Sequence, residues 1–389
     1  MSGILRLSLA HALHARLRSA LIVVSIAVAA FIPVATSIIA SSLESALLRR
    51  ADSTSLVIGG LGGRIDLVLA ALYFRPARIR PVTMGDWKRL DADFPGRLLP
   101  VNVQHTAGGV PVVATPLDYL ETRHAALATG RLPTLVGQAV IGARAAARLG
   151  TVAGSFVHSD QVASLAIAAP ASIRLRITGT LRPTGTPDDD AIFTDIKTAW
   201  LLSGLSHGHA DAARVIPESL LLERARERVV VSEALVEDNE VTPANASSLH
   251  LHADETTLPL TAIVGLSLDD RDRTLLRSRI NAGDKLQAVE PGEAVREIMG
   301  HVARFARAAN VIAAAVSVLT SLLVGTILAM SARARGRELQ TLERLGVSRV
   351  KVVLLLATEA AILTGAGLML AATAAFFIAW HPPDLVKLL

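Results

Sequence analysis

The sequence predicts an α-helical membrane protein with three spanning helices and a large α+β domain outside the cytoplasm. Three observations lead there. The stretches 19–43, 308–332 and 360–380 carry no charge, and each is as long as the roughly 20 residues a helix needs to cross a bilayer. Basic residues crowd the segments beside those runs: Arg6, Arg16 and Arg18 ahead of the first, and Arg333 to Lys351 between the second and third. Such flanks stay in the cytoplasm. Residues 44–307 hold 29 Lys/Arg against 30 Asp/Glu, a net of −1, so the chain's +5 comes from the flanks. A neutral outer region excludes nucleic acid, which needs a basic face.

Taken in order, residues 1–18 form a cytoplasmic N-terminus and 19–43 the first span. That run exceeds the roughly 7–15 apolar residues of a signal peptide, which favours an uncleaved span. Pro33 inside it is expected to kink the helix. Arg49 and Arg50 just beyond it count weakly against the orientation. Residues 44–307 form the outer domain, and the absence of cysteine means that it folds on a hydrophobic core without disulfides. Its first residues continue the helix as a stalk.

Gly59-Gly60-Leu61-Gly62-Gly63 has the texture of a phosphate loop, but no Gly-Lys-Ser/Thr follows, and no Walker A pattern occurs anywhere. The glycines read as a strand-to-helix turn that needs positive φ or close packing. Thr83 is placed to cap a helix over 83–93, with Asp86 completing a capping box. Strands are expected at 98–103, 110–114, 139–141, 173–178, 228–231 and 258–265, and a short Ala/Arg helix ended by Gly150. A helix is expected over 269–280. Pro291 then opens one that runs unbroken into the span 308–332. The cytoplasmic loop is 333–351, the third span 352–380, and 381–389 an outer tail.

The loop and its exit, SARARGRELQTLERLGVSRVKVVLLLATEA, carry six basic residues. Leu339, Leu342 and Leu345 recur every three residues, an apolar stripe with Arg337, Gln340, Glu343 and Arg344 on the other sides. Gly346 is placed to stop that helix and Ser348 to cap the next. Periodicity leaves two readings open: a helix that docks on a partner, or a polybasic loop on anionic lipid.

This stretch resembles the FtsX-like (MacB-type) permease family of ABC transporters, whose motif R-x-x-E-L-x-x-L-x-x-L-G-x-S-x-x-x-V is met by Arg335, Glu338, Leu339, Leu342, Leu345, Gly346 and Ser348, with Glu359 following inside the next span. The resemblance implies a coupling helix that docks on a separate ATPase. It extends to SLVIGGLGGRIDLVLAALYF, TGTLRPTGTPDDDAIFTDIKTAW and LQAVEPGEAVREIMG. It implies an outer domain of two lobes, a porter-like one from 52–128 and 220–290 and an inserted mostly-β one from 129–219. It further implies a non-catalytic subunit of the bacterial cytoplasmic membrane. ATP and Mg would be held by the partner ATPase, with no cofactor in this chain. The other partners it implies are a second permease copy (homodimer or heterodimer), membrane lipid, and a lipoprotein or periplasmic adaptor. The family has four spans and this chain three, so either the chain is truncated or this member works with three.

Other clusters are weighed against plainer roles. His207 with His209, and His250 with His252, have metal-ligand spacing, since i and i+2 on a strand share a face; exposed His-bearing loops are the alternative, and the favoured one. Ser155, His158 and Asp160 are close in sequence, which is no evidence for a triad. Asp188, Asp189 and Asp190 suit a cation, but a solvated turn is preferred. Glu359, an acid inside a span, needs a partner, with Arg349 or Lys351 expected, or else an interfacial position for its carboxylate; this structural role is preferred to a proton relay. The rival functional reading is a membrane-anchored metal-binding or sensory domain, and a third is a degenerate permease.

Overall fold

The computed structural model describes residues 2–77, 79–160, 172–208, 221–225, 228–231, 240–243, 246, 249–251, 253–334, 336, 341, 344 and 347–380. The chain divides into a helical unit, residues 1–47 and 297–389, and an α/β unit, residues 48–296.

The chain opens with α1 (Ser2–His14) and α2 (Arg16–Asp52), the latter helical through Pro33. Then come β1 (Leu56–Gly60), α3 (Arg64–Tyr73), β2 (Val82–Thr83), α4 (Met84–Asp93), β3 (Leu98–Ala107) and β4 (Val110–Ala114). Next are α5 (Asp118–Thr122), β5 (Leu127–Gly130), β6 (Gln138–Ile141), α6 (Ala143–Leu149), β7 (Phe156–His158) and β8 (Arg174–Leu181). After these follow β9 (Ile192–Thr194), α7 (Ile196–Leu202), β10 (Ser206–Gly208), β11 (Leu221–Ala225), β12 (Arg228–Val231) and β13 (Leu249–Leu251). The α/β unit ends with β14 (Pro259–Leu260), β15 (Ala262–Gly265), α8 (Asp270–Asn281) and β16 (Leu286–Val289). Two long helices complete the described chain, α9 (Pro291–Ala334) and α10 (Arg349–Trp380).

Helices α2, α9 and α10 are long and apolar enough to cross a membrane, and they contain the three charge-free stretches of the sequence. The sequence reading gives residues 1–18 no secondary structure, whereas α1 is helical and packs on α10. On α10 the buried residues Glu359, Leu363, Gly367, Ala371 and Ala375 recur every four positions and so share one face. Small side chains there let α2 come close: a Cβ on Gly367 would lie 2.8 Å from Cβ of Ile26.

The α/β unit is built on a mixed sheet of order β16-β1-β15-β3-β4-β9-β6-β8-β5, with β7 also on β8. β1 is buried at every position: β15 and β16 cover its two edges, Leu67 of α3 lies over Gly59, and Leu56 and Ile58 point into the core. β3 serves both halves of the sheet. Residues 98–101 pair with β15; from Asn102 the strand pairs with β4, with a register shift between Asn102 and His105. Two hydrophobic cores result. One gathers Leu56, Ile58, Leu98, Ile263 and Trp200; the other Val110, Val112, Ile141, Leu175, Ile177 and Leu201. The divide between the cores therefore runs through β3 and through α7, which gives Ile196 and Trp200 to one and Leu201 and Leu202 to the other.

Local sequence explains several element ends. Thr83 accepts the Asp86 amide and Asp86 accepts the Thr83 amide, a complete capping box for α4. Gly150 ends α6 at φ 62°. Gly59 and Gly60 end β1 and Gly62 and Gly63 follow it; none of the four has positive φ, and for Gly59 and Gly60 the requirement is close packing. A Cβ on Gly60 would stand 2.4 Å from the Arg80 carbonyl oxygen.

Candidate functional site

Of the coupling stretch, Arg335, Glu338, Leu339, Leu342, Leu345 and Gly346 lie outside the described residues. Thr341 and Arg344 are helical. Ser348 stands immediately ahead of α10, where its carbonyl accepts the amides of Lys351 at 2.9 Å and Val352 at 3.3 Å. The stretch thus lies between two helices of spanning length.

Glu359 is buried within α10 and takes the guanidinium of Arg18, from the first turn of α2. This corrects the partner expected from sequence. Arg349 and Lys351 sit on the same helix, roughly 15 and 12 Å back along its axis at 1.5 Å per residue. A cation on the helix alongside reaches where those two do not. The pair joins α2 to α10 close to Ile22 and Leu363, which share a small apolar cluster with Ala12. Buried charge of this kind is costly to leave single, so each partner fixes the other.

A second buried charge cluster lies in the α/β unit. Arg50, in the last turn of α2, is only 3% exposed. Its two terminal nitrogens donate to Asp188 at 2.9 and 2.6 Å, and one also to the Tyr119 hydroxyl. The guanidinium stands 5.9 and 5.8 Å from the rings of Phe74 and Tyr119. Phe193 packs on both rings, edge-on to Phe74 and stacked on Tyr119. Arg123 covers Tyr119 from another side and donates to the Ser53 carbonyl at 3.0 Å and to Thr54 Oγ1 at 2.7 Å.

The electrostatics follow from burial. Burial pushes the Tyr119 phenol up, with Arg50 pulling the other way. Burial and the nearby Arg50 push the Arg123 guanidinium down. Donors outnumber acceptors here, and Nε of both arginines is buried with no hydrogen-bond partner. Through the Arg50 guanidinium the cluster ties the end of α2 to Phe74 after α3, to Tyr119 of α5 and to one carboxylate, that of Asp188.

That carboxylate overturns an expectation. Asp188 and Asp189 are each 2% exposed, so the triplet is no solvated turn. Thr186 caps a short 3-10 helix over Pro187–Asp190, which turns Asp188 inward to Arg50. Asp189 accepts the amides of Thr184 and Gly185, both at 2.8 Å, and Asp190 pairs with Arg144. The cation that Asp188 holds is a guanidinium. Sequence reasoning missed Arg50 because it counted that residue as a flank charge. Its place at the end of a predicted stalk, in phase with Leu47, was the available signal.

His207 on β10 stands opposite His250 on β13, while His209 and His252 lie outside the described residues. Among the described residues no group of three or more metal-type ligands comes together. Ser155, His158 and Asp160 form no relay: the Asp160 carboxylate accepts the amides of Gly108 and Gly109 and the Thr106 hydroxyl. Those bonds hold it below the usual carboxylate range, against the effect of burial. His105, buried beneath α7, shares a 2.8 Å hydrogen bond with Ser203, and burial pushes its imidazole down.

No protein-family model matches the chain. No curated protein matches it in sequence. Among solved structures, it is similar to the extracellular domain of the noncanonic ABC-type transporter YknZ from Gram-positive bacteria, at 10% identity and a TM-score of 0.33, over 60% of this chain and 98% of that one. It is also similar to the periplasmic region of MacB from Actinobacillus actinomycetemcomitans, at 10% identity and a TM-score of 0.34, over 65% of this chain and 97% of that one. At that distance the likeness transfers no residue role.

Proposed function

We propose that the chain is the permease subunit of a MacB-type ABC transporter, with ATP hydrolysed by a separate ATPase. The observation that carries the reading is the placement of the Arg335–Ser348 motif between α9 and α10, two helices long and apolar enough to span. The Leu339, Leu342 and Leu345 stripe docks on the ATPase. Its movement passes into α9 and α10, and along α9 and α2 to the outer domain, which acts on substrates outside the membrane. The clients are lipoproteins, lipids, peptides or cell-wall enzymes, handled by mechanotransmission with no central pore. The permease works as a pair of copies in the bacterial cytoplasmic membrane.

Co-purification of the neighbouring ATPase, and ATP turnover that depends on the permease, test this. Leu342→Asp puts a charge into an apolar contact at a cost of several kcal/mol and should abolish both. Arg335→Gln, which removes about 1 kcal/mol of attraction to anionic lipid, should be far milder. Equal and small effects would leave the helix as a membrane-surface element and remove the main support for the transporter reading. The metal-binding alternative has in its favour the His207–His250 register alone. It predicts stoichiometric Zn²⁺ on the purified chain and no ATPase partner.

A further inference from the structure

The residues named above around the Arg50 guanidinium all come from outside α2. Asp188 lies on the 3-10 turn before β9, Tyr119 on α5, Phe193 on β9, and Phe74 is the residue that ends α3. Each has a support of its own. Thr186 caps the turn that carries Asp188, the Tyr119 amide donates to the Pro116 carbonyl at 3.0 Å, and β9 lies between β4 and β6. Phe74 stands at φ 56°, a left-handed position where a helix usually ends on glycine. A phenylalanine there carries a backbone cost that only its surroundings can offset. Those surroundings are the Arg50 guanidinium, 5.9 Å from its ring, and Phe193 edge-on to it.

The contacts recognise the head of the side chain and leave its stem alone. Both terminal nitrogens meet Asp188, at 2.9 and 2.6 Å, and one also meets the Tyr119 hydroxyl. A planar fork on a carboxylate, with rings over it, selects a guanidinium over an ammonium. Nε is buried with no hydrogen-bond partner, so every polar contact made to Arg50 would be made equally to a free alkylguanidinium. Arg123, whose guanidinium stands 5.5 Å from the Tyr119 ring, adds a like charge that opposes the hold of Asp188 on Arg50. Arg123 also grips Ser53 and Thr54, which keeps the chain beside Arg50 attached when the head leaves.

We propose that Phe74, Tyr119 and Asp188 form a guanidinium-binding socket and that Arg50 is its displaceable occupant, a plug that joins the end of α2 to the α/β unit detachably. The class of ligand is an alkylguanidinium. In the transporter the plug gives the movement of α2 a point of release. That use rests on the function proposed above; the socket itself does not.

Arg50→Ala leaves a space that matches the ethylguanidinium ion. The full-length variant in detergent should bind that ion one to one by calorimetric titration, and should bind propylammonium, which has the charge without the fork, far more weakly. At ten times its dissociation constant the ion should shift the variant's unfolding equilibrium toward the folded state about ten-fold. In the wild type ethylguanidinium should compete with the plug, speeding hydrogen exchange at residues 50–54 and leaving β1 and β3 unchanged. A folded Arg50→Ala chain that binds no ethylguanidinium would show that the socket collapses without Arg50, and would overturn the proposal. Wild-type exchange unaltered at 50–54 would mean a fixed joint, and exchange raised equally in β1 and β3 would mean a denaturant only; either overturns it, and neither measurement depends on the variant folding. No ATPase is present in these experiments, so a permease that has the socket but supports no ATP turnover would refute the transporter reading alone.

Discussion

Arg50 and Asp188 lie 138 positions apart and meet with almost no solvent access. A buried pair need not add net stability, but removing one partner leaves the other charged in a dry site. Arg50→Met should therefore cost about 3–5 kcal/mol, and Arg50→Met with Asp188→Leu should recover most of it. Thermal unfolding of the full chain measures both, and a double variant no better than the single one would show that the contact is not a coupled pair. His105 makes a separate prediction. Burial holds its folded pKa below the ordinary value of 6.5, so unfolded chains bind more protons as pH falls. Its contribution is fully present above about pH 6.5 and is lost as pH drops from there through the depressed folded value. His105→Asn should flatten unfolding temperature against pH over that window, and an unchanged slope would assign the dependence to other groups.

At the level of elements, α10 and α2 are held by a spacing of four and by what occupies it. Gly367 lies where a Cβ would press on Ile26 and the Val23 carbonyl. Gly367→Val should push the helices apart at a cost of about 1–3 kcal/mol, as over-packing does. Glu359→Gln should move them less, because glutamine has nearly the same volume and keeps a carbonyl oxygen that the Arg18 guanidinium can donate to. Cross-linking between cysteines on α2 and α10 reads both; an unaltered yield for Gly367→Val would disprove the close approach. The capping box at Thr83 and the end of α6 at Gly150 were legible because each is settled within four residues by hydrogen bonding and φ. The extent of β3 was not. Its last residues are strand because β4 pairs with them after a register shift.

For the whole molecule, topology is the prediction that matters. With the N-terminus inside, residues 44–307 are outside and 333–351 inside. A cysteine at Ser278, exposed on α8, should react with an impermeant maleimide added from outside, and one at Arg349 only from the cytoplasmic side. Reaction of Ser278→Cys from the cytoplasm alone would reverse the orientation. Arg50 no longer speaks against it, because its charge is held by Asp188 and is not free in a flank.

The sequence by itself determined what depends on neighbouring residues: three charge-free runs long enough to span, the turns, the caps and most of the strands. It also supplied the motif on which the transporter reading rests, because a motif is a local pattern. The tertiary structure alone decided which distant groups meet. Asp188 reads as a surface acid until a short 3-10 turn and the end of α2 bring Arg50 to it. Glu359 reads as paired along its own helix until Arg18 is found beside it on α2. Charges buried together are chosen by proximity in space, and sequence distance carries almost none of that information.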